Sequence, residues 1–364
     1  MSTGYIYDTR QREHTHSEAP ESAARLEGLI VGLTEMGELQ ALEALPVDLL
    51  SWESIQAAHT TSHVEAVRHM AAMGKSRISF DTYLTPYAAE AARLSASSAV
   101  SAVRAVLDGR VQNAFSLMRP PGHHALSTRA MGYCIFNNVA VAALYALRER
   151  GLKRVMILDV DAHHGNGTEE IFYGSRTVLF VSYHQHPWFP GTGEWCRNGA
   201  EAGLGYNYNI ALPTWTGDTG YMRATYELVE PLAERYQPEL ILVSAGFDAH
   251  WMDHSSVLGL SVQGYYDLVA AFRSLADRLC RGQIVLLLEG GYNLRSLTAC
   301  VGGALRALRA APPPADPFGP CPDKPVAPVD GILAHLRGFM TELMPPADGP
   351  CFFDQPVAVP YRIK

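Results

Sequence analysis

Two carboxylates and an imidazole, spaced to suit one metal ion, are the most informative residues in the sequence. Asp161 and His163 stand two apart in Asp159-Val160-Asp161-Ala162-His163-His164, directly after the apolar run Arg154–Leu158. Strand alternation would turn both side chains the same way, and one carboxylate with one imidazole suits zinc. Asp248, in Gly246-Phe247-Asp248 after the separate run Leu240–Ser244, offers a third ligand from a neighbouring strand. Three protein ligands leave a coordination position for water, which is the catalytic rather than the structural arrangement. A lone Asp or His at a strand end would be ordinary polarity. The full set, continued by Gly165-Asn166-Gly167, needs partners if it is buried.

A second cluster, Arg119-Pro120-Pro121-Gly122-His123-His124, supplies proton chemistry. One histidine can take a proton from a metal-activated water while the other gives one to a leaving amine. Asp159 and Asn166 are the groups that could orient them, and an imidazole held by an acid keeps its proton more readily. Taken alone, the pair reads equally well as a surface turn. A third cluster, Glu289-Gly290-Gly291-Tyr292, follows the run Ile284–Leu288. Its phenol can donate to an oxyanion, and glycines reach backbone angles that other residues avoid. Without the metal cluster, a packed tyrosine in a tight turn would be the simpler reading. Gly132-Tyr133-Cys134 and Trp188–Gly193 are aromatic loop segments that suit the walls of a narrow tube for an aliphatic chain, although such aromatics more often belong to plain core.

These residues need a scaffold, and the pattern around them predicts one. Helices are expected at Ala88–Leu107 and Asn137–Arg150, closed by Gly109 and Gly151, and further helices at Gly220–Tyr236, Gln263–Leu279, Leu294–Arg309 and Ile332–Leu343. The runs Arg154–Leu158, Val178–Tyr183, Leu240–Ser244 and Ile284–Leu288 are nearly continuous in apolar residues, as strands covered on both faces are. Their alternation predicts an α/β fold, a mostly parallel sheet flanked by helices. Ligands of such sheets bind beyond the carboxyl ends of the strands, where the polar clusters, His184-Gln185-His186 among them, all fall. The proline-rich 312–327 reads as an irregular connection and 328–364 as a final helix and tail, with the chain as one domain, 1–364.

The motifs RPPGHHA (Arg119–Ala125), GYCIFNNVAVAA (Gly132–Ala143), ILDVDAHHGNGTEEIFY (Ile157–Tyr173), FPGTGE (Phe189–Glu194), SAGFDAH (Ser244–His250) and LEGGYN (Leu288–Asn293) together resemble the histone deacetylase family, including its bacterial amidohydrolase and acetylpolyamine-deacetylase members. Glu18-Ala19-Pro20 to Arg25-Leu26 resembles the family's opening segment more loosely. The resemblance implies the arginase–deacetylase fold and one zinc ion held by Asp161, His163 and Asp248. It implies His123 and His124 as the acid/base pair, supported by Asp159 and Asn166, and Tyr292 as the carbonyl-polarising donor. Tyr133 and Phe189, with Gly132 and Gly291, would contact the acyl chain. Potassium would sit near Asp159, Asp161, His163, Ser182 and Tyr183, with a second site near Phe172 and Val178. Asn166 stands where some members have Asp, which resembles the class II branch. Tyr133 stands where many have Phe, and the rim loop His250-Trp251-Met252-Asp253-His254 is unusual. The implied reaction is hydrolysis of an acylated amine such as an acetyl-lysine peptide or an acetylpolyamine.

Two other readings share parts of this pattern. A two-manganese ureohydrolase of the arginase type would need more bridging carboxylates than His164-Gly165-Asn166 provides. A non-catalytic acyl-ligand sensor would not need the whole machinery. The net charge of −8, with 37 acidic and 29 basic residues, argues against a general nucleic-acid binder. Six scattered cysteines form no C-x-x-C pair, and neither a signal-peptide pattern nor a membrane span is expected. A cytoplasmic setting follows from these expectations. The oligomeric state stays open, a homo-oligomer included, and so does the choice of general base.

Overall fold

Strands form where apolar residues run without interruption, and the runs β4 (Val155–Asp159), β5 (Val178–Gln185), β7 (Leu240–Ala245) and β8 (Ile284–Leu288) are buried at every position. The computed structural model describes residues 2–322 and 328–343. It adds β1 (Thr3–Ile6), β2 (Glu43–Ala44), β3 (Asn113–Ser116) and β6 (Asn207–Leu212). All eight lie in one sheet in the order β2-β1-β3-β8-β7-β4-β5-β6, and every pairing is parallel. Part of the proline-rich connection and the tail after Leu343 lie outside the described residues.

Alternation along each strand feeds two cores. Met156 and Leu158 of β4, Ile241 and Val243 of β7, and Leu286 of β8 face the helices Val262–Leu279 and Leu294–Leu308. Val155, Ile157, Leu242 and Val285 face Ala88–Leu107 and Asn138–Arg148. Burying each such side chain contributes about 1.5–3 kcal/mol. The Asp330–Leu343 helix seats Leu333, Leu336 and Met340 on the first core.

The expected helix 220–236 is interrupted. Asp218–Ala224 passes through a wide turn at Thr225–Val229 into Glu230–Tyr236. Pro231, in the first turn of the last segment, has no N–H to give the carbonyl one turn back. Asn137 caps the following helix rather than joining it, accepting from the Ala140 N–H at 2.9 Å.

β4 leads outward to β5 and β6, while β7 leads the other way to β8. β4 and β7 are neighbours, with Asp159 opposite Ser244. Such a reversal opens a crevice at the carboxyl ends. Among the described residues no helix is long and apolar enough to cross a membrane.

Candidate active site

The crevice between β4 and β7 is where the metal-capable residues meet. β4 stops at Asp159, so Asp161 and His163 lie in the loop beyond it; their convergence comes from that loop's turn, not from strand alternation. Asp159 Oδ1 accepts the Asp161 N–H (3.2 Å) and Asp161 Oδ1 accepts the His163 N–H (2.9 Å). Asp248 follows β7, and its Oδ1 accepts the Ala162 N–H at 2.8 Å, joining the two loops. One ligand atom from each of Asp161, His163 and Asp248 falls within 4.8 Å of the others.

The donor set fits a divalent cation. His163 Nδ1 faces Asp161 Oδ1 at 3.0 Å and Asp248 Oδ2 at 3.1 Å, while its Nε2 lies 3.2 Å from the Ser255 carbonyl oxygen. Donation from Nε2 leaves the Nδ1 lone pair aimed at two carboxylates, an arrangement that calls for a cation between them. Without one, burial pulls the imidazole down, but the hydrogen bonds to the two acids outweigh it and hold a proton there up to about 10.

Gly290 and Gly291 serve different needs. A Cβ on Gly290 would come within 2.4 Å of Asp248 Oδ2 and 2.6 Å of Asp161 Oδ2, and its N–H donates to Asp161 Oδ2 at 2.8 Å. Only Gly291 uses a positive φ, +115°. The pair therefore lets the backbone approach the acids and then turn, delivering Tyr292 to the pocket. Burial raises the phenol's pKa well above its usual value, so it stays a donor.

The histidine turn is buried rather than on the surface. Glu289 Oε2 accepts the N–H groups of Gly122 (2.6 Å) and His123 (3.2 Å), and its Oε1 accepts from Ser244 Oγ (3.0 Å). His123 Nδ1 meets Asp159 Oδ2 at 3.0 Å; His124 Nδ1 meets Asn166 Oδ1 at 2.7 Å, while Asn166 Nδ2 turns to Met131 Sδ. The rings lie 4.0 Å apart, yet they titrate in opposite directions. Burial depresses His123, but the charges of Asp159 and Asp161 overcome it and raise the pKa well above 6.5. Burial, then the neighbouring His123 and His163, push His124 well below 6.5. An amide partner cannot reverse that.

A pocket of about 590 Å³ opens over these groups, lined among others by His123, His124, Tyr133, Asp161, Phe189 and Tyr292. The Phe189 ring stands edge-on to His124 (5.1 Å) and His163 (5.9 Å), and Tyr133 stands 6.0 Å from Tyr292. Gly132 packs against His124, where a Cβ would meet the ring at 2.3 Å. Of the positions assigned to potassium, Asp159 and Ser182 are paired across β4 and β5. The Tyr183 hydroxyl is engaged by Thr225 at 2.9 Å. Phe172 ends the Asn166–Phe172 helix and Val178 begins β5.

Several contributors were given no role by the motif reading, although Arg119 and Arg25 stand within its segments. Arg119, fully buried, donates to Glu21 through Nε (2.5 Å) and Nη2 (2.6 Å), to the Tyr83 hydroxyl (2.8 Å), and to Gln11 and the His14 carbonyl. It ties the N-terminal segment bearing Pro20, and the loop bearing Phe80 and Asp81, to the histidine turn. Asp81 Oδ2 accepts the Gly132 N–H at 2.9 Å. Arg25 donates to the carbonyls of Glu289 and Gly291, both at 2.6 Å, with its guanidinium 5.0 Å from the Tyr292 ring centroid. The sequence signal was a charged residue inside an apolar or Pro-rich stretch, which demands a buried partner without naming it. A second trio, His123, Cys134 and Glu289, also has atoms close enough for a metal. There Glu289 is committed to N–H and hydroxyl donors and His123 Nδ1 to Asp159, so it acts as a hydrogen-bonded brace.

With this geometry in place, comparison with known proteins is direct. Residues 19–308 match the family model described as "Histone deacetylase domain". The chain is 37% identical over 321 residues to a "Probable deacetylase" of Archaeoglobus fulgidus, covering 85% of this chain and 89% of that protein. It is 38% identical over 288 residues to a "Histone deacetylase-like amidohydrolase" of Pseudomonas aeruginosa, covering 78% and 74%. The crystal structure of the HDA15 HD domain superposes with a TM-score of 0.85 at 33% identity, covering 94% of this chain and 95% of that one.

Proposed function

The chain belongs to the histone deacetylase family, and on that footing we propose that it is a zinc-dependent hydrolase of acylated amines acting as one catalytic domain. Deacetylase or amidohydrolase chemistry is the activity its relatives are named for. The observation that carries the reading is the convergence of Asp161, His163 and Asp248 beside two histidines, His123 bonded to Asp159 and His124 to Asn166, under an aromatic-walled pocket.

Asp161, His163 and Asp248 would hold the zinc ion, which when bound would supply Lewis-acid polarisation of the amide carbonyl and bring the pKa of water toward neutrality. His124, kept neutral by its buried surroundings, takes the proton from the attacking water. His123, kept protonated by Asp159, gives its proton to the departing amine. Tyr292 donates its phenolic hydrogen to the carbonyl oxygen as negative charge develops there. Gly132, Tyr133 and Phe189, which line the pocket together with Gly290 rather than the expected Gly291, bound a slender acyl-amine chain and keep solvent from it. Potassium bound near Asp159, Asp161, His163, Ser182 and Tyr183 would buffer the acids behind the zinc; the adjacency of the β4 and β5 ends supports that assignment.

The substrate class is an acetyl-lysine peptide or a small acylamine such as acetylputrescine. The arginase-type alternative has less support, because the second trio close enough for a metal, His123, Cys134 and Glu289, shares no carboxylate with Asp161, His163 and Asp248, and its acid is committed to N–H and hydroxyl donors. The test is catalytic efficiency on acetyl-lysine peptides, acetylputrescine and acetylspermidine, with elemental analysis of the purified protein. One zinc per chain and turnover on this panel are expected. Two manganese ions, or no turnover on any member, would overturn the reading. Tyr292→Phe is expected to lower kcat by roughly 10²–10³ with zinc retained.

A further inference from the structure

We propose that Asp253, in the rim segment 250–256, is a positioning residue that fixes Tyr292; this rests on the carbonyl-polarising role given to Tyr292 above. The carboxylate is almost wholly buried although it sits in a rim loop, and both its oxygens are spent. Oδ2 accepts the N–H of Tyr292 at 2.6 Å and of Asn293 at 2.9 Å. Oδ1 accepts the Ser255 N–H at 3.0 Å and the Ser255 hydroxyl at 2.6 Å. The Asn293 amide returns a bond to the Met252 carbonyl at 3.0 Å.

This attachment matters because of what precedes Tyr292. Two successive glycines give that stretch little conformational preference of its own, so the direction of the phenol depends on bonds from outside. The helix that follows does not need Asp253 to start. Asn293 caps the Leu294–Leu308 helix itself, accepting from the Ser296 N–H at 3.3 Å. The bonds from Asp253 thus reach one residue further back than a helix cap requires, to the main chain of Tyr292.

The same loop also holds the other side of the carbonyl site. The Ser255 carbonyl accepts from His163 Nε2 at 3.2 Å and from Trp188 Nε1 at 2.9 Å, and Trp251 Nε1 anchors the loop to the Gly319 carbonyl at 3.0 Å. One short segment therefore sets the spacing between the tyrosine and the metal-binding imidazole.

The experiment is a double-mutant cycle on the full-length zinc-loaded protein, with Asp253→Ala, Asp253→Asn and Tyr292→Phe. It is paired with amide hydrogen exchange of the 289–294 segment in metal-stripped protein. Asp253→Ala is expected to lower kcat about 10–100-fold, with KM and zinc content little changed and faster exchange at Tyr292 and Asn293. In the Tyr292→Phe background the same substitution should cost almost nothing. Asp253→Asn keeps an acceptor for the two N–H groups but turns a donor toward Ser255. It should lose less, again only when Tyr292 is present, and it serves the cycle if the alanine variant does not fold. An equal loss in both backgrounds, or unchanged exchange, would overturn the positioning role alone. Full turnover by Tyr292→Phe would overturn the role of Tyr292 and this proposal with it.

Discussion

The floor of the pocket takes Asp161, His163 and Asp248 from the loops that end two adjacent strands, whereas its mouth takes Pro20, Phe80 and Asp81 from loops remote in sequence and bound together by Arg119. The floor is positioned by a sheet whose register is fixed by buried apolar residues on both faces, so its precision comes free with the fold. The mouth has no such frame. Phe80 is 76% exposed, and the segments around it are held by polar bonds, those to the Arg119 guanidinium and those from the Gly132 and Tyr133 N–H groups to Asp81 and Thr82. Floor and mouth should therefore fail differently: the first by losing chemistry in a folded protein, the second by losing stability while the chemistry is intact.

Asp248→Asn should produce the largest loss of activity. It removes a charged ligand and leaves His163 Nδ1 facing an amide, while the β7 core is untouched. Zinc content should collapse, and kcat/KM should fall by more than the roughly 10²–10³ expected for an oxyanion donor, with a melting temperature close to the parent's in the metal-free state. Elemental analysis and calorimetry on the same preparation check this. Retained zinc with full turnover would remove the floor from the comparison.

Arg119→Met should act the other way. It leaves Glu21 buried without its partner. At present burial pushes that carboxyl up but Arg119 pulls it further down, so the pair is charged. Breaking a buried pair from one side costs about 3–5 kcal/mol, so the midpoint of denaturant unfolding should drop sharply while zinc stays bound. Replacing Glu21 by Met as well should recover much of the loss, because the stranded charge is gone. A variant that unfolds no more easily than the parent would show that the mouth does not depend on this node.

The same contrast explains what could be read from the sequence. β4, β5, β7 and β8 were legible because strands buried on both faces must be continuously apolar, and the convergence of Asp161, His163 and Asp248 was legible because they follow the ends of β4 and β7. Gly109 and Gly151 take φ of +72° and +73° just past the helices they were expected to close. β1 and β3 were not legible, being four residues each with polar members. β6 hides because Asn207 and Asn209 interrupt it; both face inward, their amides donating to Glu169 at 2.9 and 2.7 Å. Asp253 and the Arg119–Glu21 pair were invisible for a deeper reason. Their partners are set by tertiary contact, and no local spacing encodes which buried charge meets which.

Asn166→Asp probes the place where floor and mouth meet, and its effect should be the smallest. His124 belongs to the turn that Arg119 anchors, and Asn166 opens the short helix that follows the Asp161–His163 loop. Their bond at 2.7 Å passes from imidazole Nδ1–H to an amide oxygen. The amide accepts that hydrogen bond but adds no negative charge, so burial and two neighbouring imidazoles keep His124 well below 6.5. A carboxylate in its place favours the protonated ring and should raise the pKa. A general base works only when unprotonated. The acid limb of log(kcat/KM) against pH should therefore move to higher pH, while the plateau above it changes little and zinc content not at all. A limb that stays where it is would assign the base to His123, whose Asp159 partner the substitution does not touch, and would mean that the two histidines divide their work in the opposite sense from their surroundings.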